Sequence, residues 1–115
     1  MQAKLYHNPM CSKSRQALAL LTERGQAPQV IEYLKTPPTA AKLDALLIKL
    51  GIEPRALLRT GEAAYREHGM GDPSLSRAEL IARMVANPIV IERPIFVHGD
   101  RAVVGRPPER VLEIL

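Results

Sequence analysis

The sequence has no tryptophan, one phenylalanine, three tyrosines and a single cysteine. Each shortage excludes something. With so few aromatic rings the chain lacks the stacking platform that holds single-stranded nucleic acid, and Leu, Ile, Val and Ala must fill its core. A lone cysteine cannot close an internal disulfide, and a thiol kept free fits a reducing, cytosolic compartment. One cysteine and three scattered histidines offer no metal-ligand spacing. No apolar run approaches the length of a membrane span, and the N-terminus lacks a signal-peptide pattern. Nor is there a block of like charge: 16 basic and 12 acidic residues, net +4, are dispersed. Such a basic excess suits a small anionic substrate better than a nucleic acid.

What is present fits one soluble globular domain: 115 residues, 46% hydrophobic and 24% charged. Residues 3–6 read as a short strand, followed by the turn signal Asn8-Pro9. From Ser12 the periodicity is helical, with Ala17, Leu18, Leu20 and Leu21 as its apolar stripe and Gly25 as its stop. Gln29 to Tyr33 reads as a second strand, making a β-α-β unit with parallel strands and a right-handed crossover. Thr39 caps a helix running to about Leu50, with Gly51 after it. Pro54 starts a short helix through Leu57 and Leu58, residues 62–68 form a helical turn, and residues 68–73 are loop. Ser76 and Glu79 form a capping box, with Leu75 and Leu80 as a hydrophobic staple. The helix they start carries Leu80, Ile81, Met84 and Val85 and ends near Asn87-Pro88. Residues 39–87 are thus a helical insertion too small to fold alone. Ile95–His98 and Arg101–Val104 are antiparallel strands joined by Gly99-Asp100, and a final helix carries Val111, Leu112 and Leu115.

The order is β-α-β, helical insertion, β-β-α. Periodicity alone gives α/β or α+β; with a reactive cysteine after the first strand it predicts an α/β fold, one four-stranded mixed sheet with flanking helices, thioredoxin-like in its glutaredoxin-sized form.

The chemistry centres on Cys11. It follows a proline turn and opens a helix, with His7, Lys13 and Arg15 close in sequence. Helix N-termini and nearby cations lower a thiol pKa, so Cys11 is the candidate nucleophile. Unpaired backbone N–H groups of Ser12, Lys13 and Ser14 would form an oxyanion site beside its sulfur. His7 is either a solvent-facing strand-end residue or an imidazolium that stabilises the thiolate. Cys11-Ser12-Lys13-Ser14 has serine where a C-x-x-C motif would hold the resolving thiol, so any adduct on Cys11 must be cleared by an external thiol. Arg59, Arg93 and Arg106 each stand at a junction next to Thr60-Gly61, Pro94 or Pro107, and an arginine fork suits a tetrahedral oxyanion. In a thioredoxin-like fold a cis-proline precedes the third strand and faces the active cysteine. Pro94 is the candidate, which brings Arg93 beside Cys11.

His7-Asn8-Pro9-Met10-Cys11-Ser12-Lys13-Ser14-Arg15 resembles the signature of the glutaredoxin-coupled arsenate reductases, the ArsC family. The likeness continues through Tyr33-Leu34-Lys35-Thr36-Pro37-Pro38, Leu58-Arg59-Thr60, Ile91-Glu92-Arg93-Pro94-Ile95 and Gly105-Arg106-Pro107-Pro108. The resemblance implies reduction of arsenate to arsenite through a covalent Cys11–arsenic adduct, with His7 helping to ionise the thiol. It implies Arg59, Arg93 and Arg106 as the residues that bind arsenate, beside the Ser12 and Ser14 N–H groups read above as binding residues. Glutathione is the implied co-substrate and glutaredoxin the implied partner, with no bound cofactor or metal. We expect a cytoplasmic monomer. Two alternatives share part of this pattern. A monothiol glutathione-dependent reductase of the same fold needs Cys11 but not all three arginines. A related group of regulators docks on RNA polymerase; most carry a C-x-x-C switch, which Cys11-x-x-Ser14 does not reproduce.

Overall fold

Two four-residue strands, β1 (Lys4–His7) and β2 (Gln29–Glu32), lie parallel, with Lys4 opposite Gln29 and His7 opposite Glu32. The helix α1 (Ser12–Glu23) connects them. The computed structural model describes residues 3–115. In it β3 (Ile95–His98) pairs antiparallel with β1, and β4 (Arg101–Val104) pairs antiparallel with β3. The mixed sheet has the order β2-β1-β3-β4. This is the expected α/β arrangement, and β3 and β4 begin and end where the sequence places them. Gly99 takes φ +65° in the turn between them, a left-handed conformation that glycine adopts without a Cβ clash.

The strand registers explain the core. Leu5, Phe96 and Val103 sit at matched positions, so their side chains leave the same face of the sheet. They are buried with Ala17 and Leu21 of α1 and with Val111 and Ile114 near the C-terminus. Successive residues of β1 alternate faces, so Leu5 and His7 share the face that α1 covers. The core that seats α1 therefore also sets the height at which α1 begins, and with it the position of Cys11.

Three elements differ from the sequence reading, and one is β2, which stops at Glu32, a residue short of the expected Tyr33. β1 extends one residue further than expected and takes in His7. The C-terminal helix is a 3-10 helix, Pro108–Ile114, and its buried residues are Pro108, Val111 and Ile114, whereas Leu115 is exposed. A 3-10 helix has three residues per turn, so every third side chain eclipses the last. Burial at 108, 111 and 114 follows that period. The expected α-helical stripe of Val111, Leu112 and Leu115 does not.

The chain divides into two compact units. Residues up to Thr36 form one with Arg93–Leu115, and Pro37–Glu92 forms the other. The second contains α2 (Ala40–Leu50), α3 (Ala63–Glu67) and α4 (Arg77–Ala86), with 3-10 turns at Pro54–Leu57 and Pro88–Val90. Thr39 Oγ1 accepts the Lys42 N–H at 3.2 Å to cap α2, and Gly51 ends it at φ +69°. Both arms of the Ser76–Glu79 capping box are made, each at 3.1 Å. Leu43, Leu46, Leu47, Leu57, Leu80, Ile81 and Met84 are buried in this unit. A bridge between Leu58 and Ile91 ties the residue after the Pro54–Leu57 turn to the end of the unit.

Gly105 follows β4, and a Cβ built there would lie 2.9 Å from Pro94 Cγ and 3.0 Å from Val111 Cγ1. Neither is a flexible side-chain end, so a methyl group must displace the Pro94 loop or the C-terminal helix. Gly105→Ala is expected to destabilise the protein by roughly 1–3 kcal/mol, the usual cost of overpacking. Urea denaturation of the two proteins measures it.

Candidate active site

The loop between β1 and α1 is fixed by its own polar groups. Asn8 is buried, and its Oδ1 accepts the Met10 N–H at 3.0 Å. The Asn8 carbonyl accepts the Cys11 N–H at 3.0 Å, and Arg15 Nη1 donates to the Pro9 carbonyl at 2.8 Å. These bonds bring the chain into α1 with Cys11 as N-cap, in extended conformation, its carbonyl accepting the Arg15 N–H at 3.0 Å. A cap position exposes the free N–H groups of the first turn to whatever side chain stands there. Here that side chain ends in sulfur; the Ser14 and Lys13 N–H groups make no cap hydrogen bond to it but stand near enough to favour its charged form.

Two guanidinium groups complete the ring of donors. The Arg93–Pro94 peptide is cis, as expected from the position of Pro94 before β3. The Arg93 side chain is buried and hydrogen-bonds to the Cys11 sulfur. Arg106 Nε donates to the Arg93 carbonyl at 2.8 Å, which anchors its fork so that Nη2 lies 3.5 Å from Cys11 Sγ. Partial burial pushes the Cys11 thiol up, because it disfavours the charged form. The Ser14 N–H, the Arg93 side chain, the Lys13 N–H and the charge of Arg106 outweigh it, and the thiol lies below its ordinary value. The site therefore favours thiolate, with cationic donors on the same sulfur. A tetrahedral oxyanion that bonded to this sulfur would meet those donors.

Ser14 and His7 meet beside the loop. The Ser14 hydroxyl is buried, accepts the Asn8 N–H at 3.1 Å, and lies 2.7 Å from His7 Nδ1. In the Nε2–H tautomer of His7, the hydroxyl donates to Nδ1. Ser14 thus keeps its hydroxyl inside the loop, and the group it has toward an oxyanion at the start of α1 is its backbone N–H. That N–H favours the thiolate while its side chain locks the loop. His7 is buried, and burial lowers its pKa; Glu32 opposes this and Arg15 adds to it. Burial thus works against the imidazolium, and the ring lies against the Ser14 hydroxyl, which it helps to orient. Ser12 is exposed in the first turn of α1. Asn8 was legible only as a turn residue, although an Asn side chain that bonds two residues ahead is a known turn device.

Arg59 lies in the helical unit. Its Nη1 donates to Glu92 Oε1 at 2.8 Å and its Nε to Glu62 Oε1 at 3.2 Å, and its own N–H donates to the Val90 carbonyl at 2.7 Å. The structure thus groups Cys11, Arg93 and Arg106 with the Ser14–His7 pair, and places Arg59 between two carboxylates. Among the described residues, no group of three or more His, Cys, Asp or Glu side chains could hold a metal ion. No helix there is long and apolar enough to cross a membrane.

Comparison with known proteins adds an independent line. Residues 6–114 match the ArsC family. A protein of Escherichia coli named "Uncharacterized protein YfgD" is 52% identical over 99% of this chain and 97% of its own length. An arsenate reductase of Neisseria meningitidis is 41% identical over 99% of this chain and 98% of its own length. Among solved structures, the arsenate reductase from Vibrio cholerae superposes with a TM-score of 0.96 at 52% identity, covering 100% of this chain and 98% of that one.

Alkylation by iodoacetamide follows the thiolate, so its rate rises with pH through the Cys11 pKa. Because that pKa is lowered, the rise should come at lower pH than for an ordinary thiol. Arg106→Ala removes a charge that favours thiolate and should move it to higher pH. A profile that Arg106→Ala leaves in place would contradict the electrostatic assignment. Ser14→Ala strands the Asn8 N–H and should lower stability by about 1–3 kcal/mol, read in the same denaturation assay.

Proposed function

The chain belongs to the ArsC family, and on that premise we propose that it is an arsenate reductase that draws its electrons from glutathione and glutaredoxin. The observation that carries the reading is the Cys11 sulfur held by Ser14, Lys13, Arg93 and Arg106 in a chain with no second cysteine. The first half of that observation makes an oxyanion-binding nucleophile. The second half requires outside thiols.

The Cys11 thiolate attacks arsenic, the S–As bond forms, and one arsenate oxygen leaves as water after protonation. Arg93 and Arg106 hold the remaining oxygens, whose negative charge they are placed to stabilise. Arg59, oriented by Glu62 and Glu92, is the third proposed arsenate-binding cation, and Ser12 offers a further donor. Glutathione then bonds to arsenic with loss of a second water, and arsenic is still pentavalent. The glutaredoxin thiolate attacks the glutathione sulfur, forming a glutaredoxin–glutathione disulfide. The electron pair of the broken As–S bond stays on arsenic, which becomes trivalent. Hydrolysis of the Cys11–As bond releases arsenite and returns the thiol. Two thiols are oxidised to one disulfide for each arsenic reduced by two electrons. Phosphate has the shape and charge of arsenate, so it should bind weakly at the same site, but thiols do not readily reduce phosphorus.

One observation favours a second reading. The Arg59 guanidinium already bonds two carboxylates, which offset its charge. A monothiol glutathione-dependent reductase acting on another substrate keeps Cys11, Arg93 and Arg106 and makes no demand on Arg59.

NADPH oxidation coupled through glutathione reductase, glutathione and glutaredoxin separates the two. Arsenate-dependent turnover is expected, abolished in Cys11→Ser and reduced more than about tenfold in Arg93→Ala, as for loss of an oxyanion contact. Turnover of a glutathione mixed disulfide, with no arsenate-dependent rate, would establish the second reading instead.

A further inference from the structure

Met10 is 85% exposed, more than any other large hydrophobic side chain among the described residues. It directly precedes the nucleophile. Its backbone is not free to turn the side chain inward, because the Met10 N–H is bonded to Asn8 Oδ1 and the next N–H to the Asn8 carbonyl. Pro9 before it is also exposed, and its carbonyl is held by Arg15. An apolar, adaptable side chain is thus displayed by a pinned loop at the edge of the reactive sulfur.

We propose that Pro9 and Met10 form the docking edge for the protein that supplies the final thiol, an inference that rests on the thiol-donor half of the function above. The chemistry requires the contact. The donor's thiolate must reach a glutathione sulfur carried on the arsenic that Cys11 holds, so the donor's surface covers whatever borders Cys11. Methionine is enriched where proteins meet and adapts to the groove it enters. The surrounding charge narrows the partner: Lys13 and Arg15 are exposed and the first turn of α1 has no acidic residue. The fitting donor carries an apolar strip beside its own thiol and an acidic margin. A small thiol needs neither feature, so Met10 discriminates between protein and small-molecule donors.

The test uses a step that needs no arsenate. Oxidised glutathione converts the Cys11 thiolate to a mixed disulfide and releases one glutathione thiolate. Glutaredoxin then attacks the glutathione sulfur, takes glutathione as its own mixed disulfide, and returns Cys11 as thiolate. Intact-mass spectrometry follows the rate for the wild-type protein, Met10→Ala and Met10→Glu, with glutaredoxin or dithiothreitol as reductant. With glutaredoxin the rate should fall about fivefold in Met10→Ala and about tenfold or more in Met10→Glu, the range for a contact at an interface centre. With dithiothreitol the three proteins should react alike. Equal rates with glutaredoxin overturn the proposal, as does an equal slowing with both reductants, which would place Met10 in the sulfur's own environment. Failure of glutaredoxin to reduce the wild-type adduct also overturns it. Absence of arsenate turnover in the coupled assay bears on the substrate alone and leaves these rates standing.

Discussion

A half-buried sulfur gathers hydrogen-bond donors from one helix start and two arginines, and the architecture around it serves that contact. Burial alone would keep Cys11 a neutral thiol. The Ser14 and Lys13 N–H groups, the Arg93 side chain and the Arg106 charge reverse that preference. Each donor depends on a separate piece of the fold. The N–H groups need α1 to begin at Ser12, which the packing of Ala17 and Leu21 against Leu5 and Phe96 determines. Arg93 is placed by the turn into β3. Arg106 depends on the Arg93 carbonyl, so the two guanidinium groups are positioned as a pair. Gly105, the residue before Arg106, leaves room for Pro94 and Val111.

The missing second thiol determines the kind of chemistry that follows. Where a C-x-x-C protein would have a resolving cysteine, this chain has Ser14, and its hydroxyl is committed to Asn8 and His7 inside the protein. Ser14 therefore favours the Cys11 thiolate through its N–H and rigidifies the loop through its side chain. An adduct on Cys11 can only be cleared from outside. That requirement connects the buried Ser14 hydroxyl on one side of the loop to the exposed Met10 side chain on the other.

Much of this was legible in the sequence because the relevant signals are local. Caps at Thr39 and Ser76, the Gly99-Asp100 hairpin and the Cys11 helix start depend on residues within a few positions of each other, and the structure has them. Signals that depend on three-dimensional neighbours were not legible. The last helix adopts the 3-10 period because Pro108, Val111 and Ile114 together face the core, and the sequence pattern also fits an α-helical stripe. The lowered pKa of His7 follows from its burial, which its position near a turn does not reveal. The junction arginines were recognisable as candidates. That Arg106 would grip the Arg93 carbonyl, and that Arg59 would sit between Glu62 and Glu92, depends on contacts made across 13 and 33 positions of chain.

The central claim is that Cys11 bonds directly to the arsenic of arsenate. X-ray absorption at the arsenic edge, on protein frozen with substoichiometric arsenate before any other thiol is added, reads the atoms bound to arsenic. One sulfur among the oxygens, absent in Cys11→Ser, is the predicted result. An oxygen-only shell in the wild-type protein, under conditions where arsenate is bound, would contradict it.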